Sequence, residues 1–504
     1  MDQSFPKSDR VDIMLLLEGT FPYVSGGVSS WVNQIILGFP EYRFGALFIG
    51  SSKNDYTVMK YKLPENLVHL DAFYIHDPKQ RPSVRRRKGN PEVFRETLEM
   101  HDSLLRPDAC ALEGRFRGAD FYMDPVNGID FGQFLYARRS WDIITELYHN
   151  RCTDPSFVDY FWTVRNMHAP IWLLAEVAGC LPAAGLYHTV STGYAGFLGS
   201  LLHYDTGRPL ILSEHGIYTK ERRIDIFNSD WIQDNRNALQ KDPTEISYYR
   251  DLWIRFFETL GRFCYSAAGN IVSLFEGARR HQISDGAPES RTRVIPNGID
   301  VERFIPLRRD HAEGVPHVLV LLGRVVPIKD IKTFIRAVCI VAGRLPTVEG
   351  WIVGPDDEDP EYAAECISLT ASLGLTERIK FLGFRNPMEI FPQTGVLVLS
   401  SISEGLPLVL LEAFAAGIPA VATDVGSCRQ LIMGAGEDDE AIGPAGGVVE
   451  INDPQSLADE ALRLLTDRGC WERARQSAME RVERLYTHKR MFDGYRELYS
   501  QGVV

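Results

Sequence analysis

Apolar residues in this chain come mostly in short unbroken runs rather than in strict alternation. "VDIMLLLEG" at 11–19 is one such run, ended by glycine, and it predicts a strand buried on both faces of a parallel sheet. A loop, "TFPYVSGG", follows, and then the period changes. Val28, Trp31, Val32, Ile35 and Ile36 fall on one face of a helix that Gly38 stops. "RFGALFIG" at 43–50 predicts a second strand. Strand signals return in "GLYHTVS" (185–191), "RPLILSEHG" (208–216) and "GNIVSLF" (269–275). A strand, a loop and a helix in this order predict a doubly wound sheet.

From about 76 to 165 the pattern differs. Charged and aromatic residues dominate there and strand-type runs are few, which predicts an insertion or helical subdomain. "RVIPNGID" (293–300) combines Pro, Asn and Gly and predicts a connector. Beyond it the alternation is regular. "HVLVLLGR" predicts a strand, and "DIKTFIRAVCIVAG" a helix capped by Asp330 with Ile331, Phe334, Ile335, Val338 and Val341 inward. "VEGWIVGP", "RIKFLGF", "GVLVLSS", "IPAVATD" and "GGVVEI" predict further strands, and helical segments at about 454–484 and 488–500 close the chain. At 504 residues the chain exceeds one ordinary core. The expectation is an α/β protein of two doubly wound halves, divided near residue 300.

One helix stands apart. In "SEGLPLVLLEAFAAG" (403–417) Pro407 reads as the first helical position. The residues after it are apolar nearly all round, the mark of a core helix. Glu412 nevertheless sits inside it and Glu404 just before it. A lone buried carboxylate is costly unless hydrogen-bonded or paired. A sugar's vicinal hydroxyls or a structural salt bridge would each satisfy Glu412.

Composition narrows the classes. Apolar residues at 45% and charged residues at 24% describe an ordinary soluble globular protein. A net charge of −13 counts against a nucleic-acid partner, because phosphate contacts need a basic field. The run Arg85-Arg86-Arg87-Lys88 reads as a solvated loop. Eight cysteines without a C-x-x-C pair point to a reducing compartment. The polar start "MDQSFPKSDR" is not a signal peptide, and the apolar stretch from Ile171 to Tyr187 is interrupted by Glu176 and falls short of a bilayer span. A cytoplasmic protein is expected, unless a partner carries it to a membrane.

Several residues carry candidate chemistry. Gly26 and Gly27 sit where a strand hands over to a helix N-terminus, a place suited to an anion or to a plain tight turn. The spacing is not G-x-G-x-x-G, so no dinucleotide fingerprint is present. Arg324 and Lys329 follow a strand's carboxyl end, where open α/β sheets bind ligands. There they would hold a diphosphate or be ordinary loop charges. Glu404 occupies a similar edge, and His215 in "LSEHG" follows a strand of the first half.

Together these pieces resemble the GT-B glycosyltransferases of glycosyltransferase family 4. The resemblance rests on E-x7-E (Glu404 and Glu412), on "GRVVPIKD" with Arg324 and Lys329, on "VIPNGID", and on "SGGVSSW" and "SEHG" in the first half. The strings "LLLEGTFPYVSGGVSSWV", "FVDYFWTVRNMHAPIWLL", "STGYAGFLG" and "LSEHGIYTKERRIDI" look like the Pel-type exopolysaccharide members of that family.

The resemblance implies two Rossmann-like domains facing across a cleft. The N-terminal, acceptor-side domain would span 1–300 with the insertion at 76–165, the nucleotide-sugar domain 301–484, and a helix at 485–504 would cross back. Family 4 implies a retaining transfer from a UDP-sugar to a polysaccharide acceptor, with export and synthase components of the inner membrane as partners. Glu412 would hold the ribose, Arg324 and Lys329 the diphosphate, and Glu404 the donor sugar. Gly405, Leu406 and Pro407 would shape the turn against it. His215 would face the sugar from the first domain, with Gly26 and Gly27 near the diphosphate or acceptor. No cofactor or metal is expected: Asp357-Glu358-Asp359 matches D-x-D but lies in an acidic loop apart from the matched sugar motifs. A non-catalytic nucleotide-sugar-binding scaffold is the alternative from another class.

Overall fold

A computed structural model of the chain describes residues 5–76, 90–104, 129–237, 245–308 and 314–502. The chain divides into two compact units. One comprises Met1–Ser273, Arg279–Arg293 and Arg496–Val504, the other Leu274–Ala278 and Val294–Tyr495.

The first unit is built on a seven-stranded sheet. Its strands are β1 (Arg10–Glu18), β2 (Phe44–Gly50), β3 (Leu67–Tyr74), β4 (Ala183–Thr189), β5 (Leu210–Glu214), β6 (Asn270–Ser273) and β7 (Thr292–Val294), in the order β3-β2-β1-β4-β5-β6-β7. β1 lies at the centre, parallel to β2 on one side and to β4 on the other. Its run from Ile13 to Leu17 is fully buried, as an unbroken apolar strand between two layers of helices requires. The helix Gly27–Gly38 buries Trp31, Val32, Ile35 and Ile36 as its period predicts.

Two strands depart from the sequence pattern, and both are edges. β3 carries polar His69 and Asp71 among its apolar residues, and the two side chains meet at 2.8 Å. β7 is three half-buried residues, the last two of them from the stretch that reads as a connector. An edge strand has one unpaired side and needs no apolar run, so its signal is weak.

The described part of 76–165 is helical, with Pro91–Leu104, Phe131–Tyr136, Arg138–Arg151 and the start of Phe157–Ala178. These helices pack on the first core, with Trp172 stacked on Phe134 at 5.3 Å. Arg85, Arg86, Arg87 and Lys88 lie outside the described residues. No helix among the described residues is long and apolar enough to cross a membrane.

The second unit carries β8 (Val318–Leu322), β9 (Glu349–Val353), β10 (Ile379–Phe381), β11 (Val396–Leu399), β12 (Ala420–Thr423) and β13 (Gly446–Val449). Their order is β10-β9-β8-β11-β12-β13, all parallel. The helix Ile331–Arg344 turns Ile331, Phe334, Ile335, Val338 and Val341 inward, and Asp330 caps it by accepting the N–H of Thr333 at 3.3 Å. The helical pattern at 454–484 is two helices, Pro454–Thr466 and Arg468–Leu485, because Asp467 ends one and caps the next through Cys470. Both sheets are therefore doubly wound, and each has one place where the strand order reverses: β1 beside β4, and β8 beside β11. Ligands of such sheets bind outside the carboxyl ends of the strands at that reversal.

Candidate functional site

In the second unit the reversal is made by two loops, 323–330 after β8 and 400–407 after β11. They are tied to each other. Ser400 Oγ donates to the carbonyls of Lys329 and Asp330 (3.0 and 2.9 Å), and the N–H of Ile402 donates to the carbonyl of Ile328 at 2.8 Å. The Lys329 stem crosses bare Gly323, where an added Cβ would lie 3.5 Å from its Cε. Its ammonium meets Glu404 Oε1 at 2.6 Å, and Ser401 Oγ donates to the same oxygen at 2.6 Å. The two charges are thus held side by side at the edge where a ligand would sit.

The loop after Glu404 is shaped from below. Gly426 (φ +56°) presses so close that a Cβ there would stand 2.2 Å from the Glu404 carbonyl oxygen and 2.5 Å from that of Gly405. Only glycine adopts that backbone at that distance without strain. The N–H of Ser427 then donates to the carbonyl of Gly405 at 2.9 Å. Pro407 is the residue that caps Leu408–Ala415 rather than its first helical position, because its ψ of 103° is extended. Glu412 lies on that helix and is half-buried. Burial pushes its carboxyl above the usual range, and the positive charge of Arg303 pulls the other way.

Arg324 does not join Lys329 and Glu404. Its Nη1 donates to both oxygens of Glu358 at 2.6 and 2.5 Å. The expectation that Asp357-Glu358-Asp359 stands apart from the sugar-binding motifs is therefore corrected for Glu358. The loop after β9 is adjacent to that after β8, a neighbourhood the sheet order creates and the chain order hides. Asp359 caps Pro360–Ser372, accepting the N–H of Tyr362 at 3.0 Å.

In the first unit His215 directly follows β5 and sets its ring edge-on to Trp31, centroids 4.6 Å apart. Burial lowers its pKa to about 4, so the imidazole is neutral at neutral pH. Glu214, just before it, is 2% exposed and is pushed up to about 7 by burial, against hydrogen bonds from Gln282 Nε2 (2.9 Å) and Tyr265 OH (2.8 Å). Gly26 and Gly27 open the helix Gly27–Gly38 and are exposed, with nothing within 4 Å of an added Cβ at either position. The first turn of that helix carries no acidic residue, so its amide ends are left to an anion or to water.

Sequence reasoning sets Glu358 apart from the sugar motifs, and it passes over Ser401 and Gly426, and over Glu18, Tyr218 and Arg222 at the first reversal. Glu18 had a signal, a carboxylate ending a buried strand at the ligand edge. Tyr218, Glu358 and Gly426 meet partners far along the chain, and Ser401 and Arg222 bond near neighbours, Glu404 and Tyr218, that those distant contacts position.

Residues 11–290 match the family described as "Domain of unknown function (DUF3492)", and residues 316–467 match "Glycosyl transferases group 1". The D-inositol 3-phosphate glycosyltransferase of Salinispora tropica is 29% identical over 370 residues, covering 66% of this chain and 69% of that one. Anabaena Alr3699/HepE in complex with UDP superposes with a TM-score of 0.58 at 15% identity, over 97% of this chain and 100% of that one. Sucrose-phosphate synthase (tll1590) of Thermosynechococcus elongatus does so with a TM-score of 0.57 at 15% identity, over 97% and 98%. These likenesses show the expected fold, two parallel-sheet Rossmann-like domains of the GT-B type.

Proposed function

The chain belongs to the DUF3492 family and carries a group 1 glycosyl transferase domain, and on that premise we propose that it is a retaining, UDP-sugar-dependent hexosyltransferase. Its donor is UDP-linked glucose or an N-acetylhexosamine, and its acceptor is a growing exopolysaccharide. The strings quoted above resemble PelF, which supports a Pel-type system, with partners at the inner membrane that export the polymer.

The observation that carries the reading is the placement of Lys329 against Glu404 across the β8–β11 reversal of the group 1 domain. A diphosphate leaving group develops charge as the bond from C1 of the sugar to the phosphate oxygen breaks. Lys329 and Arg324 oppose that charge, most effectively in the transition state. Glu404 accepts hydrogen bonds from the sugar hydroxyls, Gly405, Leu406 and Pro407 give the turn its shape, and Glu412 takes the ribose. His215, neutral, donates or accepts one hydrogen bond at the sugar without adding charge. Gly26 and Gly27 offer helix-end amides to the diphosphate or the acceptor.

In the proposed front-face displacement the acceptor oxygen attacks C1 from the side that the phosphate leaves. The departing phosphate oxygen takes the acceptor's proton, and configuration is kept. This scheme uses no metal.

UDP release from a panel of UDP-sugars tests the reading, with the unsubstituted chain, Lys329→Ala and Glu404→Ala side by side, with and without EDTA. Release from one donor, lost in both variants and indifferent to EDTA, is expected. UDP binding without turnover of any donor, even with oligosaccharide acceptors added, would replace the transferase with a scaffold subunit.

A further inference from the structure

A cavity of about 720 Å³ opens in the first unit at the carboxyl ends of β1, β2 and β3. It is lined largely by helices and loops of the DUF3492 segment. Nothing in the donor chemistry above uses it. Its size falls within the range of cavities that hold drug-sized ligands, roughly 300–1,000 Å³.

The polar side of the cavity is a built cluster. Glu18 Oε1 accepts the Tyr218 hydroxyl at 2.9 Å, while Oε2 accepts Ser191 Oγ and the N–H of Ala195, both at 3.2 Å. Arg222 Nε donates to the Tyr218 oxygen at 3.1 Å. Its guanidinium lies 5.1 Å from the Tyr218 ring centroid and reaches Asp225 at 3.5 Å. Burial and the Glu18 charge hold the Tyr218 phenol well above its ordinary range, so it remains a neutral donor.

The apolar side is aromatic. Trp231 is 65% exposed and meets Trp253 edge-to-face at 5.7 Å, and Phe257 stacks on Trp253 at 5.8 Å.

Aromatic rings adjoin the carboxylate and the guanidinium, with Arg222 5.9 Å from the Phe257 ring centroid, and together they offer what a pyranose needs, an apolar surface for its C–H face and polar partners for its hydroxyls. The charges then select among sugars. One guanidinium faces the carboxylates of Glu18 and Asp225, so a phosphate entering here meets two anions for one cation that is already engaged.

Resting on the glycosyltransferase reading, we propose that this cavity holds the acceptor as a saccharide of about two or three rings, uncharged or amine-bearing, and that it rejects phosphorylated acceptors. The chain would then extend an oligosaccharide rather than glycosylate a phosphorylated polyol.

The test titrates the whole chain with maltotriose, chitotriose and the glucosamine trimer, and separately with inositol 1-phosphate and glucose 6-phosphate. Tryptophan fluorescence and calorimetry read binding, and UDP is titrated on the same samples. Trp231 and Asp225 are both exposed, so Trp231→Ala and Asp225→Asn leave the core intact. At least one trisaccharide should bind about tenfold more tightly than either phosphate ester. Trp231→Ala should weaken it about tenfold while the affinity for UDP is kept. Asp225→Asn should narrow the gap between trisaccharide and phosphate ester.

Three results would overturn the proposal: tighter binding of a phosphate ester, trisaccharide affinity indifferent to both substitutions, or no binding by any of the trimers. If the trimers miss this cavity while UDP-sugar is still turned over, the cavity assignment falls and the transferase reading stands. If trimers bind here but no UDP-sugar binds, the transferase reading falls, and the acceptor assignment that rests on it falls too.

Discussion

Lys329 Nζ lies 2.6 Å from Glu404 Oε1, and these residues come from loops after neighbouring strands although 75 positions separate them in the chain. Their side chains are only 19% and 12% exposed. Removing one partner of such a pair leaves a poorly solvated charge, at a cost of up to about 3–5 kcal/mol.

Lys329→Ala is therefore expected to lower both stability and turnover, the latter by about 10²–10³-fold if the ammonium stabilises the leaving diphosphate. The double variant Lys329→Ala/Glu404→Gln should recover much of the stability and none of the turnover. Urea denaturation and UDP release, run on the same preparations, separate the two effects. Recovery of both in the double variant would mean that the pair is only structural.

Arg324 is engaged by Glu358, and on the proposed reading a diphosphate would have to displace that carboxylate before the guanidinium could serve it. Both side chains are about half exposed, so the contact is worth at most about 1 kcal/mol. Glu358→Gln should tighten UDP binding by about two- to fivefold, measured by calorimetry at fixed ionic strength. Unchanged affinity would place Arg324 away from the diphosphate.

Gly426→Ala puts a methyl group 2.2 Å from the Glu404 carbonyl at a backbone φ of +56°. The loop that carries Glu404 must move or the backbone must take up about 1–3 kcal/mol of strain. Turnover should fall more than tenfold with the fold retained by circular dichroism. A fully active variant would show that the loop's exact position is unimportant to the chemistry.

Burial holds His215 at about 4 and His188 at about 3. Unfolded histidines take up a proton near 6.5 while these folded ones do not, so the stability they contribute is complete above about 6.5 and is lost as pH falls toward 4. Melting temperature should drop over that window, and the rate should show no limb near 6.5 belonging to His215. A rate limb near 6.5 that disappears in His215→Gln would contradict its burial as a neutral ring.

Glu214 works in the opposite sense. Its folded pKa of about 7 lies above the ordinary 4.5, so its contribution is complete below 4.5 and is lost as pH rises through about 7. Glu214→Gln should flatten the decline in melting temperature between pH 5 and 8. An unchanged slope would mean that another group sets it.

How far the chain could be read ahead of its structure depended on how local each signal was. Strand β1, the helix Gly27–Gly38 and the capped helix Ile331–Arg344 are written in runs of a few residues, since burial on two faces or on one stripe dictates a period that neighbours in sequence display. The edge strands β3 and β7 were not legible, because an edge needs neither a continuous apolar run nor alternation. Lys329, Glu404 and Glu412 could be singled out as charges beside apolar elements, and Glu18 could have been found in the same way.

Hydrophobic period and strand-to-helix handover are properties of contiguous residues, so the chain alone indicates two parallel α/β sheets and points to the carboxyl ends of their strands as the place for candidate site residues. Only the tertiary structure decided which charges meet there. Glu358 reaches Arg324 across 34 residues, Tyr218 reaches Glu18 across 200, and Gly426 wedges beneath Glu404. Those contacts follow from the lateral order of the strands. That order is set by the packing of whole layers, which no local stretch of the chain encodes.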